Sequence, residues 1–258
     1  DYAGHVRYQG FNDYRGGGHF SGRLTAPLVF AGAVAKQALA QYGIVVGSHI
    51  LQINYIKEER FNPMGVSDAE LAALHTKKFA VMNDAVGEKM QERILQAKSE
   101  LNSVGGVIEA IALHLPAGIG APYFDSVESM LSHALFSVPA VKGVEFGDGF
   151  GFAGLTGAEA NDALHYADGK VQALTNHNGG VTGGITNGMP LVVRAAIKPT
   201  PSIAREQQTV SLKEQADTTL AIVGRHDPCI VQRAVPVIEA VVAWTLWDLL
   251  LEAKKWEK

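Results

Sequence analysis

A single cysteine, Cys229, in 258 residues is the first scarcity of this sequence. One thiol excludes an intrachain disulfide and any zinc site built on several cysteines. It fits a reducing compartment, so a cytoplasmic location is expected. Long apolar runs are missing too. No stretch of about 18 apolar residues free of charge occurs, because Glu239 and Asp248 interrupt the most apolar segment, residues 234–251; no membrane association is expected. Positive charge is not in excess: 22 Lys and Arg stand against 26 Asp and Glu, a net charge of −4. That argues against a general nucleic-acid binder but leaves room for a local basic pocket. The nine histidines show no H-E-x-x-H or comparable spacing, so no metal is expected, and neither a P-loop nor a G-x-S-x-G elbow is present. The first residues, Asp1 to His5, carry no initiator Met, basic n-region or apolar h-region, and read as the interior of a longer chain.

Glycine, by contrast, is abundant. The 28 glycines cluster at 16–18, 105–106, 143–157 and 179–188, where backbone must turn tightly or approach a ligand. Residues 1–26 read as a loop. Pro27 opens a helix ending near Gly43. A strand is expected over 44–56, a helix over 68–75 behind the capping box Ser67-x-x-Glu70, and a helix after Asn83 or Asp84 with Met90, Ile94, Ala97 and Leu101 on one face. Strands at 107–113, 141–146 and 189–197, a helix at 126–137, an exposed ribbon near 204–217, a strand at 218–223 and a closing helix at 235–254 complete an α+β pattern over one domain, residues 1–258. Residues 147–188 read as a long irregular stretch of functional character. Arg23…Pro27 and Arg233…Pro236 each precede an apolar helix, a faint echo that hints at duplication.

Four clusters could carry chemistry. "RGGGHFSGRLTAP" (15–27) places Arg15, Arg23 and the Ser21 hydroxyl before a helix N-terminus, where free N–H groups favour anions; a Gly-rich turn with surface arginines explains it equally well. "TNHNGGVTGGITNGMP" (175–190) offers Asn176, Asn178 and Asn187, but hairpin turns are the plainer explanation. "KPTPS" (198–202) offers an ammonium, two hydroxyls and two stiffening prolines, and a Pro-rich strand exit explains it more simply. "GRHDPC" (224–229) offers Arg225 as an anion clamp and Asp227 as a base or orienting group, against an Arg–Asp ion pair capping the last helix. Cys229 reads as packed. Of the histidines, His5, His19 and His177 are the better candidates for ligand contact; His49, His75, His114 and His133 read as structural or surface.

Together with "SVGGVIE" (103–109) and "GIGAPYFDSVESMLSHALFSVPAVKGVEFGDGF" (118–150), these stretches make the chain, over nearly its whole length, resemble the chorismate synthase family. The resemblance implies an α+β fold with a sandwich of helices between antiparallel sheets, and a homotetramer. It implies a carbon–oxygen lyase of the shikimate pathway, which forms chorismate from 5-enolpyruvylshikimate 3-phosphate by anti 1,4-elimination of phosphate. It implies reduced FMN from an external source, redox-neutral overall, the flavin lending an electron transiently and sharing in proton removal. Carried over by motif, Phe20, Ser21, Gly22, Pro139, Ala140, Gly183, Lys198, Pro199, Thr200, Pro201, Ser202 and Arg225 contact the flavin. Ser21, Arg23 and Arg225 face the substrate, and Asp227 and Arg225 are catalytic, Asp227 near the flavin ring. The family also carries Gly-Glu-Ser-His-Gly and Arg-Pro-Gly-His-Ala-Asp motifs with both catalytic histidines. Here Asp1 matches only the last residue of the second, so about the first third of the family's length is expected to lie upstream, and His5 and His19 do not match those histidines. The alternatives are an FMN- or anion-binding fragment without catalysis, and a phosphate-binding enzyme of another type.

Overall fold

In chain order, the computed structural model, which describes residues 2–167, 169–224 and 226–254, has α1 (Tyr2–Arg7), α2 (Thr25–Ala40), β1 (Val45–Ile53), β2 (Ile56–Lys57), α3 (Asp68–Thr76), α4 (Asp84–Ser99) and β3 (Gly106–Leu113). There follow α5 (Val127–Ser137), β4 (Val141–Phe146), α6 (Gly157–Ala160), β5 (Leu164–Ala167), β6 (Lys170–Ala173), β7 (Val181–Thr182), β8 (Ile185–Thr186), β9 (Leu191–Ile197), β10 (Gln207–Ser211), β11 (Ala216–Leu220) and α7 (Val231–Lys254).

Local chemistry explains most boundaries. Pro27 sits in the first turn of α2, where its missing N–H costs nothing. Gly43, at φ +73°, closes that helix in a Schellman turn: Ile44 N–H donates to the Leu39 carbonyl and Gly43 N–H to that of Ala40. The Ser67–Glu70 capping box starts α3, the Asn83 side chain accepts from Ala85 and Val86 to start α4, and Ser126 caps α5.

Several expectations needed correction. The presumed loop over 1–26 contains α1 and two 3₁₀ turns, Gly18–Phe20 and Gly22–Leu24. The strand over 44–56 breaks at Asn54, whose φ of +52° turns the chain into β2. Leu101 is 56% exposed, because α4 ends at Ser99 and Leu101 takes the left-handed C-terminal position (φ +53°) while Asn102 N–H reaches the Ala97 carbonyl. The irregular stretch 147–188 holds two small antiparallel ribbons, β5–β6 and β7–β8. The strand foreseen over 218–223 ends at Leu220, paired with β10 in the exposed ribbon. The last helix starts at Val231 and carries Pro236 inside it.

The main sheet runs β2-β1-β3-β9-β4, every pairing antiparallel, so the α+β class with antiparallel sheets stands. Its strands alternate between two faces. Ile108, Ala110 and Ala112 of β3 and Leu191, Val193, Ala195 and Ile197 of β9 join the cluster built with α2, α5 and α7; Ile111, Leu113 and Val192 join Phe61, Leu71 and Leu74 in a second cluster with α3. The helix α7 is long and apolar enough to span a membrane by length and composition, but 72% of its most apolar window is buried inside the protein. It crosses α2 so closely that a methyl on Gly32 would sit 2.2 Å from the Ala240 Cβ, so the two helices that echo one another in sequence pack together.

Candidate functional site

The turn Ser103-Val104-Gly105-Gly106, leading from α4 to β3, gathers three of the predicted segments. Ser103 Oγ donates to the Thr200 carbonyl at 2.6 Å. Val104 N–H donates to the Pro228 carbonyl at 2.8 Å, and Arg205 N–H donates to that of Leu101 at 3.1 Å. Gly105 lies under the exit of β9: a Cβ there would sit 2.3 Å from the Ile197 oxygen and 3.0 Å from Pro199 Cδ. Lys198 N–H donates to the Ala140 carbonyl at 2.9 Å, which brings Pro139 and Ala140, both half-buried after α5, to the same place. Ala140 reaches it at φ +76°, a conformation alanine adopts only under surrounding constraint. Residues 139–140, 198–202 and 227–229 are thus neighbours.

The polar groups of this cluster are unevenly satisfied. The Thr200 hydroxyl is shut off from solvent without a hydrogen-bond partner, and Lys198 has no ion-pair partner among the described residues. Pro199 and Pro201 are exposed, Ser202 half-buried. Asp227 pairs with Arg233 in the first turn of α7 at 2.9 Å, so an Arg–Asp pair does stand at the helix start, made by Arg233. His226 turns back to the Ile222 carbonyl at 3.1 Å. Arg225 lies outside the described residues. Cys229 is buried; desolvation, with the charge of Asp227 adding to it, pushes its thiol up to about 11, which suits packing and not nucleophilic attack.

Residues 15–27 form a separate surface. Ser21 Oγ accepts from Arg23 N–H at 3.2 Å, capping the turn Gly22–Leu24, and the Gly22 carbonyl accepts from Thr25 Oγ1. No side chain caps α2 itself. The Arg23 guanidinium is exposed and unpaired among the described residues, whereas Arg15 is already occupied by Asp13 at 2.9 Å. Phe20 is half exposed and joins Tyr8 and His19 in an aromatic group, with Tyr8 edge-on to both and His19 tilted against Phe20. No hydrogen bond or ion pair among the described residues joins residues 20–23 to the cluster at 139–140, 198–202 and 227–229.

The cluster at 175–190 divides. Its three asparagines are consumed internally: Asn176 holds the Pro63 and Pro190 carbonyls and Gly180 N–H, Asn178 binds Asp162, and Asn187 binds Thr182 and Met189. The turn explanation prevails for them. Gly183, with Gly184, makes the two-residue turn of β7–β8 at φ +62° and +87°, which favours glycine at both places. Gly184 O accepts from Val127 N–H, at the N-terminal end of α5. Pro139 follows the other end of that 11-residue helix, about 16 Å away at the α-helical rise. Within one chain, therefore, Gly183 stands apart from Pro139 and Lys198. His177 Nδ1 meets Asp148 Oδ2 at 2.6 Å. His5 packs against Gly10.

Sequence reasoning missed an ionic row across the sheet. His49, Glu109, Arg194 and Glu145 are successive register partners on β1, β3, β9 and β4. Their side chains touch in that order: His49 Nε2 to Glu109 at 3.1 Å, Arg194 to Glu109 at 3.0 Å, and Arg194 to Glu145 at 2.6 Å. Arg194 also donates to the Gly147 carbonyl, and Glu58 closes the row on His49 Nδ1 at 2.5 Å while accepting from Met82 and Asn83 N–H. Burial by itself would lower the His49 pKa, but hydrogen bonds and charge from Glu109 and Glu58 raise it above its ordinary value. Burial would raise that of Glu109, but His49, the Phe61 N–H and Arg194 hold it low. A third buried carboxylate, outside the row, is Glu239 of α7, met by Lys36, His75 and Ser48. The one available signal was a single charged residue, Glu109 or Arg194, inside each of two otherwise apolar strands.

The pattern of the family described as chorismate synthase matches residues 1–251. The protein named chorismate synthase from Thermococcus kodakarensis is 47% identical over 257 residues, covering 100% of this chain and 70% of its own length. That from Pyrococcus abyssi is 46% identical with the same coverages, and one from Dehalococcoides mccartyi is 45% identical over 98% of this chain and 68% of its own. A solved structure titled "Crystal Structure of Chorismate Synthase" superposes with a TM-score of 0.78 at 29% identity, over 97% of this chain and 70% of that one.

Proposed function

This chain belongs to the chorismate synthase family, and from that premise we propose that it serves the lyase reaction in which 5-enolpyruvylshikimate 3-phosphate loses phosphate to give chorismate, with reduced FMN bound, in the cytoplasm. In that reaction a C–H proton leaves, a C–O bond to phosphate breaks and a second ring double bond forms. The observation that carries the reading is the loop 198–202, where, among the described residues, the Lys198 ammonium has no ion pair and the solvent-excluded Thr200 hydroxyl no hydrogen-bond partner, on a proline-stiffened frame. Those groups fit a phosphate, as an FMN tail presents.

Lys198, Thr200 and Ser202 hold that phosphate, with Pro199 and Pro201 bordering the ring. Pro139, Ala140, Phe20, Ser21, Gly22 and Gly183 line the flavin. Arg23 and Arg225 pair with the substrate's phosphate and carboxylates, whose mutual repulsion demands fixed positive charge, and Ser21 adds a hydroxyl. Asp227 would hold or pass a proton where the flavin binds, and Arg225 would be the cation that acts with it. Reduced FMN, delivered from outside the chain, supplies the electron-rich ring that the elimination requires. The distance from Gly183 to Pro139 in one chain supports assembly of several copies, a homotetramer, around the sites. So do exposed aromatics such as Phe11 (91%), Phe30 (75%) and Phe150 (87%).

The test is an anaerobic titration with dithionite-reduced FMN followed by a phosphate-release assay on 5-enolpyruvylshikimate 3-phosphate. Selective FMN binding is the expected outcome, and phosphate release is expected where the family's two histidine-bearing motifs are present with it. FMN binding without release reduces the chain to a flavin- and anion-binding unit, and absence of FMN binding overturns the flavin reading altogether.

A further inference from the structure

The proposed flavin-phosphate loop and the hexapeptide 224–229 are the two ends of one excursion of the chain, the β10–β11 ribbon. Every β11 residue is exposed, and so are three of the five in β10. A lone two-stranded ribbon is marginal in water and cannot set the spacing of its own ends. What holds them is the short turn before β3. Leu101 O takes the Arg205 N–H, Ser103 Oγ donates to Thr200 O, and Val104 N–H donates to Pro228 O. Gly105 lets the exit of β9 lie against the turn at a distance no side chain would allow. The ribbon closes above this bracket with one long bond, Ile222 N–H to Ile203 O at 3.3 Å.

We propose that residues 101–105 are the positioning element of the ligand site, with Ser103 as the positioning residue that fixes the Thr200 backbone. This rests on the reading of loop 198–202 as the flavin-phosphate loop. The Ser103 hydroxyl is already committed to the Thr200 carbonyl. Among the described residues it leaves the neighbouring Thr200 hydroxyl without a partner and shut off from solvent, so a ligand oxygen reaches it through a small shift of this loop. Removing the Ser103 hydroxyl frees the loop without removing a ligand contact. FMN must then order the loop as it binds, and affinity falls by the worth of about one hydrogen bond, roughly three- to tenfold.

The experiment titrates the whole chain and its Ser103→Ala, Ser103→Thr and Thr76→Ala variants with FMN, oxidised and dithionite-reduced, alongside thermal melts. Thr76 makes a hydroxyl-to-carbonyl bond that is exposed and local, to Ala73 in α3, away from the loop. Ser103→Ala is expected to weaken FMN three- to tenfold while it remains folded at the titration temperature, whereas Thr76→Ala binds as the parent does and Ser103→Thr, which keeps the hydroxyl, recovers affinity. Parent-like binding by Ser103→Ala overturns the positioning role. So does a loss that follows only the fall in folded fraction, or an equal loss in Thr76→Ala. A parent chain that binds no FMN overturns the flavin reading and this inference with it, and is told apart because the parent itself fails.

Discussion

Replacing Arg194 by methionine tests the ionic row most directly. Arg194 is 3% exposed, and its guanidinium serves Glu109, Glu145 and the Gly147 carbonyl together. Methionine keeps much of the volume but removes the charge and all three donations. Glu109, fully buried, is then left with His49 and the Phe61 N–H alone. Removing one partner of a buried ion pair costs about 3–5 kcal/mol, mostly because the other charge stays buried. At about 2–4 °C per kcal/mol for a chain near this size, the melting temperature falls by about 6 to 20 °C. Adding Glu109→Gln removes the stranded charge, so the double variant is expected to be more stable than the sum of the two single losses predicts, by more than about 1 kcal/mol. Thermal and urea unfolding of the four proteins at neutral pH supply the cycle. A loss below about 1 kcal/mol for Arg194→Met, or strict additivity, would show that solvent reaches the row and that its geometry overstates its strength.

The His49 pKa is raised on folding, so its contribution to stability is complete below the ordinary value of 6.5 and disappears as pH rises through the folded value. Melting temperature should therefore fall on that alkaline side, and His49→Gln should flatten the dependence; an unchanged slope refutes it. Gly32→Ala places a methyl 2.2 Å from the Ala240 Cβ and should destabilise by about 1–3 kcal/mol in a urea melt, whereas no loss would mean the two helices separate freely. Asp227→Asn should leave FMN affinity close to the parent and slow phosphate release, and unaffected turnover in an active preparation removes Asp227 from the chemistry. Because its partner Arg233 is 69% exposed, the same change should cost well under 1 kcal/mol of stability.

Elements whose cause is local were legible beforehand. The capping box at Ser67, the cap at Asn83, the stop at Gly43 and the strand Val141–Phe146 each follow from a few adjacent residues. Errors arose where tertiary packing extended or cut an element. Pro236 lies within α7 on its exposed face, where water can meet the Gln232 carbonyl that loses its N–H partner, and α1 forms in a segment whose polar, glycine-rich composition reads as loop. At the candidate site, the chemistry of loop 198–202 showed in its residue types, but not that it would lie against Ala140 and Ser103. Asn176 and its neighbours carried the same polar signal and proved to be turn formers.

The sequence by itself determined the α+β class, the elements bounded by local caps and stops, the packed state of Cys229 and, through its ordered motifs, the family. Tertiary structure alone decided which polar groups are spent and which are free. Hydrogen bonds between residues 97 positions apart, as for Ser103 and Thr200, or 85 apart, as for Glu109 and Arg194, leave no periodic trace in either segment. They are set by strand register and by the close approach that Gly105 permits, and both exist only once the sheet has formed.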